Sequence, residues 1–383
     1  MPTPFEQLHS GVQRWLYDQR WTDLRPIQLD AIERILGGDG DLIVAARTAG
    51  GKTEAAFLPI LSAIADDHGG SIRAMYIGPL RALINDQFRR MELLCGHLGM
   101  PVHKWHGEVG QGNRKAMLKD PAGVLLITPE SLEAFFVRRT GELERVFAHL
   151  AFVVIDELHV FPGCERGMHL RSLLNRLDQR IGTKPRRIGL SATLGDMDRY
   201  RRWLRPSDPD RVHLINHPRE GAEVQTRCYA FVAPARAKPD PDAEEEPETT
   251  DSLFGAPGLL RAVFDHHRTR VNLVFANAKR VLEESVTGLR SIAALERLPE
   301  DRFLIHHGSL ARDTREDAER MLQEGGDRVC CCSSTLELGV DIGSVRGVAH
   351  LDAPWSVASL AQRLGRSGRR PGEAAIFRQY HAL

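Results

Sequence analysis

Cysteine pairs, long apolar runs and an excess of either charge are all missing from this sequence. Only six of its 383 residues are cysteine, and none forms a Cys-x-x-Cys pair, so a metal site built on cysteine is not predicted. No apolar run reaches the ~20 residues needed to cross a bilayer. The first residues lack the basic and then apolar pattern of a secretory signal. These absences predict a cytoplasmic, reducing compartment and no membrane partner.

The charges balance, with 51 basic and 51 acidic residues. This balance argues against a protein that coats nucleic acid through its bulk charge. It does not exclude binding in a local groove, because a few well-placed donors suffice to contact phosphates.

Short apolar runs alternate with amphipathic stretches along the chain. Strands are predicted at 41–45, 72–77, 124–128, 151–155 and 187–190, and a second set at 271–275, 302–305, 328–332 and 347–351. This alternation predicts an α/β fold with parallel sheets covered by helices on both faces. The acidic, proline-rich segment 237–251 is predicted to be a disordered surface loop. We expect two domains, 1–217 and 218–383, and we expect Trp15, Tyr17 and Trp21 to lie on an N-terminal helix and pack in the core.

A glycine-rich turn follows the first predicted strand and opens a helix, at residues 46–53. Backbone N–H groups at a helix start bind phosphates, so this context predicts a phosphate loop rather than an ordinary turn. Lys52 would reach the outer phosphates and Thr53 would hold Mg²⁺. Ala46 stands where the general pattern has its first glycine. The remaining loop residues expected to bind the nucleotide are Thr48, Ala49, Gly50 and Gly51.

Two carboxylates, Asp156 and Glu157, end a predicted strand about one hundred residues after that loop. An acid at the carboxyl edge of a parallel sheet faces the ligand crevice of such folds. Asp156 could orient Mg²⁺, and Glu157 could accept the proton of an attacking water. The alternative is that the pair only caps the next helix.

These features belong to an ordered set that resembles the superfamily 2 helicases, the group of DEAD and DEAH proteins. The other members of the set are at 25–28, 79–83, 128–131, 191–193, 333–341 and 362–369. The runs 79–87, 105–108, 306–310 and 334–343, together with His159 after the acid pair, are similar to the Lhr (large helicase-related) group. The chain departs from the usual pattern at Ala49-Gly-Gly, where Gly-Ser-Gly is common.

The resemblance implies two tandem RecA-like domains that use ATP and Mg²⁺. It implies that Arg25 and Gln28 select the adenine, that Gly339 and Asp341 lie near the nucleotide, and that Gln362, Arg366 and Arg369 complete the hydrolytic site. The residues expected to grip a single strand are Pro79, Arg81, Thr128, Ser131, His307, Ser333, Ser334 and Thr335. Three alternatives stand beside these roles: a solvated basic turn for Arg366 and Arg369, a cap on the turn before Gly343 for Asp341, and a metal site for His307.

The implied function is an ATP-dependent helicase that moves 3′-to-5′ on DNA and unwinds DNA or RNA–DNA duplexes. A local RNA remodeller and a non-unwinding nucleic-acid clamp are the rival hypotheses. Lhr-like proteins continue into further C-terminal domains. We therefore expect this chain to act as the core of a longer protein or with a protein partner.

Overall fold

The computed structural model describes residues 2–46, 50–66, 69–192, 196–217, 223–232, 256, 258–337, 342–368 and 373–383. The chain divides into two compact units, Met1–Arg219 and Glu220–Leu383, close to the predicted boundary. The predicted loop at 237–251 lies outside the described residues. Within the described ranges, no helix is long and apolar enough to cross a membrane.

Unit 1 is a parallel sheet of seven described strands in the order β3-β4-β2-β5-β6-β1-β7. Its strands are β1 (Asp41–Ala45), β2 (Ala74–Ile77), β3 (Val102–Trp105), β4 (Val124–Ile127), β5 (Phe152–Ile155), β6 (Arg186–Ser191) and β7 (Val212–Asn216). Its helices are α1 (Ser10–Asp18), α2 (Pro26–Gly37), α3 (Lys52–Ile64), α4 (Arg81–Gly96), α5 (Gln111–Lys119), α6 (Pro129–Arg138), α7 (Leu143–Phe147), α8 (Glu165–Ile181) and α9 (Met197–Leu204).

Successive side chains of a strand point to opposite faces of its sheet, so unit 1 has two apolar cores. On β1, Leu42 and Val44 pack with helices α1 to α4, whereas Ile43 packs with α6, α7 and α8. The fully buried strand therefore reads as a continuous apolar run.

Unit 2 is a parallel sheet of six described strands in the order β10-β11-β9-β12-β13-β8. Its strands are β8 (Val224–Phe231), β9 (Val271–Phe275), β10 (Phe303–His306), β11 (Arg328–Cys332), β12 (Gly347–Leu351) and β13 (Ala375–Ala382). Its described helices are α10 (Leu259–His267), α11 (Lys279–Leu295), α12 (Arg312–Glu324) and α13 (Val357–Leu364). The parallel sheets with flanking helices confirm the predicted fold class.

The sequence did not predict four strands, β3, β7, β8 and β13, because each mixes polar and apolar residues. The prediction that Tyr17 packs in the core is wrong, since its side chain is 82% exposed. Trp15 lies on α1 and Trp21 follows that helix; their rings lie 6.0 Å apart against the core.

Candidate nucleotide and nucleic-acid sites

The phosphate loop joins β1 to α3, as its sequence predicted. Helix α3 begins at Lys52 after Gly51, whose φ is +79°, and no side chain caps the helix start. The Lys52 ammonium donates to the Ala46 carbonyl oxygen at 2.7 Å. The backbone N–H groups at the start of α3 have no side-chain cap. This is the position at which the sequence predicts phosphate binding.

Gln28 lies beside this loop, in the first turn of α2. Its Oε1 accepts the backbone N–H of Arg25 at 2.9 Å, which fixes the start of the helix. The side chain is 1% exposed, and its Nε2 has no hydrogen-bond partner. A Cβ built on Gly51 would lie 2.7 Å from this Nε2. The amide that the sequence assigns to adenine therefore lies against the phosphate loop with its donors unused.

The acid pair follows β5. Asp156 is 6% exposed, the Tyr76 hydroxyl donates to its Oδ2, and the Glu157 backbone N–H donates to its Oδ1 at 2.9 Å. Burial raises the pKa of Asp156 to about 6, and the Glu157 carboxylate adds to this rise. The Tyr76 hydroxyl and the Lys52 ammonium oppose it by favouring the ionised form. Lys52 and Asp156 are thus close enough for their charges to interact.

Glu157 has a φ of +48°, which is uncommon for a residue with a side chain and carries a strain cost. Its Oε2 lies 3.5 Å from Nδ1 of His159. The same nitrogen lies 3.1 Å from Oγ of Ser191, at the end of β6. Burial lowers the pKa of His159 to about 4, and Lys52 acts in the same direction. A neutral imidazole therefore joins the acid pair to the motif at 191–193.

The first-unit residues assigned to a strand differ in how accessible they are. Arg81 is exposed at the start of α4 and pairs with Glu108, Nη1 to Oε1, at 3.1 Å. Thr128 is only 4% exposed, and its hydroxyl caps α6 by accepting the Ser131 N–H. Thr128 therefore positions Ser131, and its own predicted contact with a single strand stays a prediction.

Pro79 is buried as well, and its carbonyl oxygen accepts from Nη2 of Arg166 at 2.6 Å. Nε of the same guanidinium donates to Oε1 of Glu130, also at 2.6 Å. Arg166 thus ties the two loops, at 79–83 and 128–131, to helix α8. No sequence signal points to this residue, because it lies outside every motif.

In unit 2, the run Ser333 to Thr335 follows β11, and Ser334 is exposed. The Thr335 hydroxyl lies 2.7 Å from Nδ1 of His306. The predicted contact between His307 and a single strand stays a prediction. Its side chain is 3% exposed and lies 3.4 Å from Glu283, Nε2 to Oε1, so it faces the protein.

Glu337 organises the residues around Arg366. The Arg366 guanidinium donates to the Glu337 carbonyl oxygen through Nε and Nη2, at 3.2 and 2.8 Å. The Glu337 carboxylate accepts from Arg363, Nη2 to Oε2, at 3.0 Å. Arg366 is 1% exposed, so the alternative of a solvated turn is wrong for this residue. Gln362, one turn earlier on α13, is 7% exposed.

Five residues assigned to the nucleotide or to hydrolysis lie outside the described residues: Thr48, Ala49, Gly339, Asp341 and Arg369. Their predicted roles stay predictions.

Two family models match the chain, DEAD/DEAH box helicase over residues 25–200 and helicase conserved C-terminal domain over residues 256–371. The chain is 31% identical over 385 residues to an ATP-dependent helicase Lhr-Core of Methanothermobacter thermautotrophicus, covering 95% of this chain and 42% of that protein. It is 30% identical over 413 residues to a Lhr helicase/probable uracil glycosylase of Mycolicibacterium smegmatis, covering 95% of this chain and 26% of that protein. The chain thus spans less than half the length of these relatives.

Solved structures of helicases are also similar to this chain. The Mycobacterium smegmatis helicase Lhr bound to ssDNA and AMP-PNP matches with a TM-score of 0.79 at 28% identity, over 99% of this chain and 48% of that chain. Mss116p bound to ssRNA and AMP-PNP matches with a TM-score of 0.76 over 98% of this chain and 73% of that chain; at 16% identity this likeness shows the fold alone. Because the two family models together match well over half of the chain, it belongs to the DEAD/DEAH box helicases, and its sequence is similar to the Lhr proteins among them.

Proposed function

We propose that the chain is an ATP-driven helicase core that moves 3′-to-5′ on DNA and unwinds DNA or RNA–DNA duplexes. One observation carries the chemical part: Lys52, at the start of α3, interacts electrostatically with buried Asp156, and Glu157 lies next to that acid. A cation for the outer phosphates and a carboxylate base for water thus lie together at the carboxyl edge of one sheet.

ATP is the nucleotide for which this site is suited. Gln28 would donate its unused amide hydrogens to an acceptor nitrogen of adenine, with Arg25 beside it. The amides that open α3, at Gly51 and Lys52, would hold the phosphates. The Lhr relative of known structure was solved with the ATP analogue AMP-PNP, which supports this choice.

Mg²⁺ would be held by the Thr53 hydroxyl and the Asp156 carboxylate. Both offer oxygen, the donor that Mg²⁺ prefers, and nucleotide-bound Mg²⁺ commonly uses only one or two carboxylates besides phosphate oxygens. The ion would neutralise charge on the transferred phosphoryl group. Glu157 would accept the proton of the attacking water, while Gln362 and Arg366 are the unit 2 residues that we assign to hydrolysis.

A single DNA strand is the proposed partner, with an RNA–DNA hybrid as a second substrate. Arg81 and Ser131 in unit 1 and Ser333, Ser334 and Thr335 in unit 2 offer a guanidinium and hydroxyl groups, which contact phosphates without reading bases. The Lhr relative was solved with ssDNA, which favours DNA over RNA. Further C-terminal domains or a protein partner are proposed to assist strand separation, and the expected location is cytoplasmic.

The decisive test compares Lys52→Ala and Glu157→Gln with the unchanged chain. Lys52→Ala should lower ATP hydrolysis by ~10² or more, because one charge-stabilising group is lost. Glu157→Gln should bind ATP, hydrolyse it slowly and hold single strands more tightly with ATP than without. ATP hydrolysis by Lys52→Ala at more than a few per cent of the normal rate would refute the site.

Strand displacement then separates the rival functions. Duplexes with 3′ or 5′ tails, each with a DNA or RNA loading strand, should be opened best from a 3′ DNA tail. Tail-independent opening of short RNA duplexes would indicate a local remodeller. Nucleotide-dependent binding without any displacement, even with a supplied C-terminal region, would indicate a clamp.

A further inference from the structure

Four arginines converge where the strands of unit 2 begin. Arg270 and Arg346 immediately precede β9 and β12, while Arg227 and Arg378 lie on β8 and β13. Three of these side chains are exposed and that of Arg378 is half-buried. We refer to these four residues as the arginine surface. The residues proposed above to contact a DNA strand, Ser333 to Thr335, follow β11 and so lie at the carboxyl ends of these β-strands. The arginine surface lies toward the amino ends of the same sheet.

None of the four guanidiniums pairs with a carboxylate among the described residues. Other exposed arginines of unit 2 do pair, as Arg320 does with Asp317, Nη2 to Oδ1, at 2.7 Å. Two carboxylates of this region are engaged by other groups. Asp265 accepts from Nε of Arg261 at 3.0 Å, and Asp327 accepts the backbone N–H of Arg270 at 2.7 Å. Among the described residues of unit 2, no ion pair neutralises the positive charge of this surface.

The arrangement also places like charges side by side. Arg227 and Arg378 are direct partners in the parallel register of β8 and β13, so their Cα atoms are about 5 Å apart. Like charges directly opposite each other destabilise a sheet. Both guanidiniums also lie close enough to His266 to lower the pKa of its imidazole, alongside the larger effect of burial. An anion seated between the arginines would relieve this repulsion.

The surface is concave. Two cavities, of about 140 and 480 Å³, share Arg378 as a lining residue. The smaller is also lined by Arg270 and Arg346, and the larger by Arg227. The described residues that line the two cavities include no carboxylate. Guanidinium groups form paired hydrogen bonds to phosphate oxygens, which suits a phosphate-bearing ligand.

We propose that the arginine surface binds the phosphodiester backbone of DNA, at a stretch outside the segment held by Ser333, Ser334 and Thr335. This inference rests on the proposed function. The five-residue strands of this sheet span about 17 Å. A strand of about six nucleotides would fill the contacts at the carboxyl edge, and only a longer one would also reach the arginine surface.

The test measures how DNA affinity falls with salt for single strands of about six and about thirty nucleotides. Removing two phosphate contacts flattens the log–log slope by roughly 1.4 for single strands. Arg227→Ala/Arg378→Ala should show this flattening with the long strand and the normal slope with the short one. Arg227→Lys/Arg378→Lys should restore most of the slope, because it keeps both charges. Arg320→Ala is the matched control and should behave as the unchanged chain.

Folding is checked by thermal melting. Since the double alanine variant removes a like-charge pair, its melting temperature should be unchanged or raised. An unchanged slope with the long strand would overturn the proposal, as would equal flattening with both strands or a lowered melting temperature. A polyglutamate peptide that lost affinity in the alanine variant while DNA did not would also overturn it, because the occupant would be acidic protein. Failure of the unchanged chain to bind even the short strand would instead refute the proposed function.

Discussion

The buried ion pair between Glu337 and Arg363 stabilises unit 2 beside Arg366, one of its candidate hydrolytic residues. The two side chains are 9% and 2% exposed, and the Arg363 guanidinium also lies 4.9 Å from the ring centroid of Phe275. Glu337→Gln keeps the shape of the side chain and removes its charge. The perturbation therefore leaves a buried cation without a counter-charge.

His350 cannot replace the lost carboxylate. Its Nδ1 lies 2.9 Å from the Asp352 carbonyl oxygen, and its Nε2 contacts the Arg363 guanidinium. Since a guanidinium only donates, Nε2 must accept and Nδ1 must carry the proton. Burial, together with the charge of Arg363, lowers the pKa of His350 to about 4, so the imidazole is neutral.

Breaking a buried ion pair by changing one partner costs about 3–5 kcal/mol. For a unit the size of Glu220–Leu383 this corresponds to a fall in melting temperature of roughly 6–20 °C. Thermal and urea unfolding of Glu337→Gln should show this loss. Glu337→Leu/Arg363→Met should recover much of it, because it removes both charges. Arg320→Ala, which breaks exposed pairs, is the control. A loss below about 1 kcal/mol in Glu337→Gln would refute the reasoning.

Three further changes probe other parts of the molecule. Gly51→Ala should abolish ATP binding with little loss of fold, because the new Cβ would clash with the Gln28 amide and because the φ of residue 51 is positive. Gly37→Ala, which places its Cβ in open space, is the control for the binding assays. Tyr76→Phe should raise the Mg²⁺ concentration needed for hydrolysis by ~10-fold or more, since Asp156 loses its hydroxyl donor; an unchanged Mg²⁺ titration would refute this role. His267 is buried, and its pKa is lowered to about 3. The free energy of unfolding, measured with urea, should therefore fall as the pH drops below about 6.5, because only the unfolded chain takes up the proton there. His267→Gln should make this fall shallower.

The sequence predicted the strands that are buried on both faces. Those at 41–45, 271–275, 328–332 and 347–351 match β1, β9, β11 and β12 to the residue, because a central parallel strand is a continuous apolar run. Three of the four strands at the edges of the described sheets, β3, β7 and β8, gave no such signal, whereas the fourth, β10, was predicted at 302–305. In β3, β7 and β8 one or both faces are partly open, so polar residues interrupt the pattern, as His103 and Lys104 do in β3.

The residues of the candidate site also divide into those that the sequence predicts and those that it does not. Lys52 and Asp156 were predictable because each lies at a fixed step from a strand end, in a pattern that phosphate chemistry requires. The burial of His307 and the contact of Arg366 with a carbonyl oxygen were not predictable from the sequence. Both depend on residues from other elements, Glu283 and Glu337. Arg166 illustrates the limit, since it joins two motifs from a helix whose sequence reads as an ordinary amphipathic surface.

His159 shows why a neutral group suits the position between the acid pair and β6. One nitrogen, Nδ1, lies 3.5 Å from the Glu157 carboxylate and 3.1 Å from the Ser191 hydroxyl. A fixed cation at this position would form an ion pair with Glu157 and weaken it as a proton acceptor. The neutral imidazole leaves the carboxylate its basicity, and it has only one Nδ1 to share between the two oxygens. Glu157 and Ser191 therefore both lie within reach of the same nitrogen. This shared contact joins the residue proposed to activate water to the end of β6, where the motif at 191–193 begins.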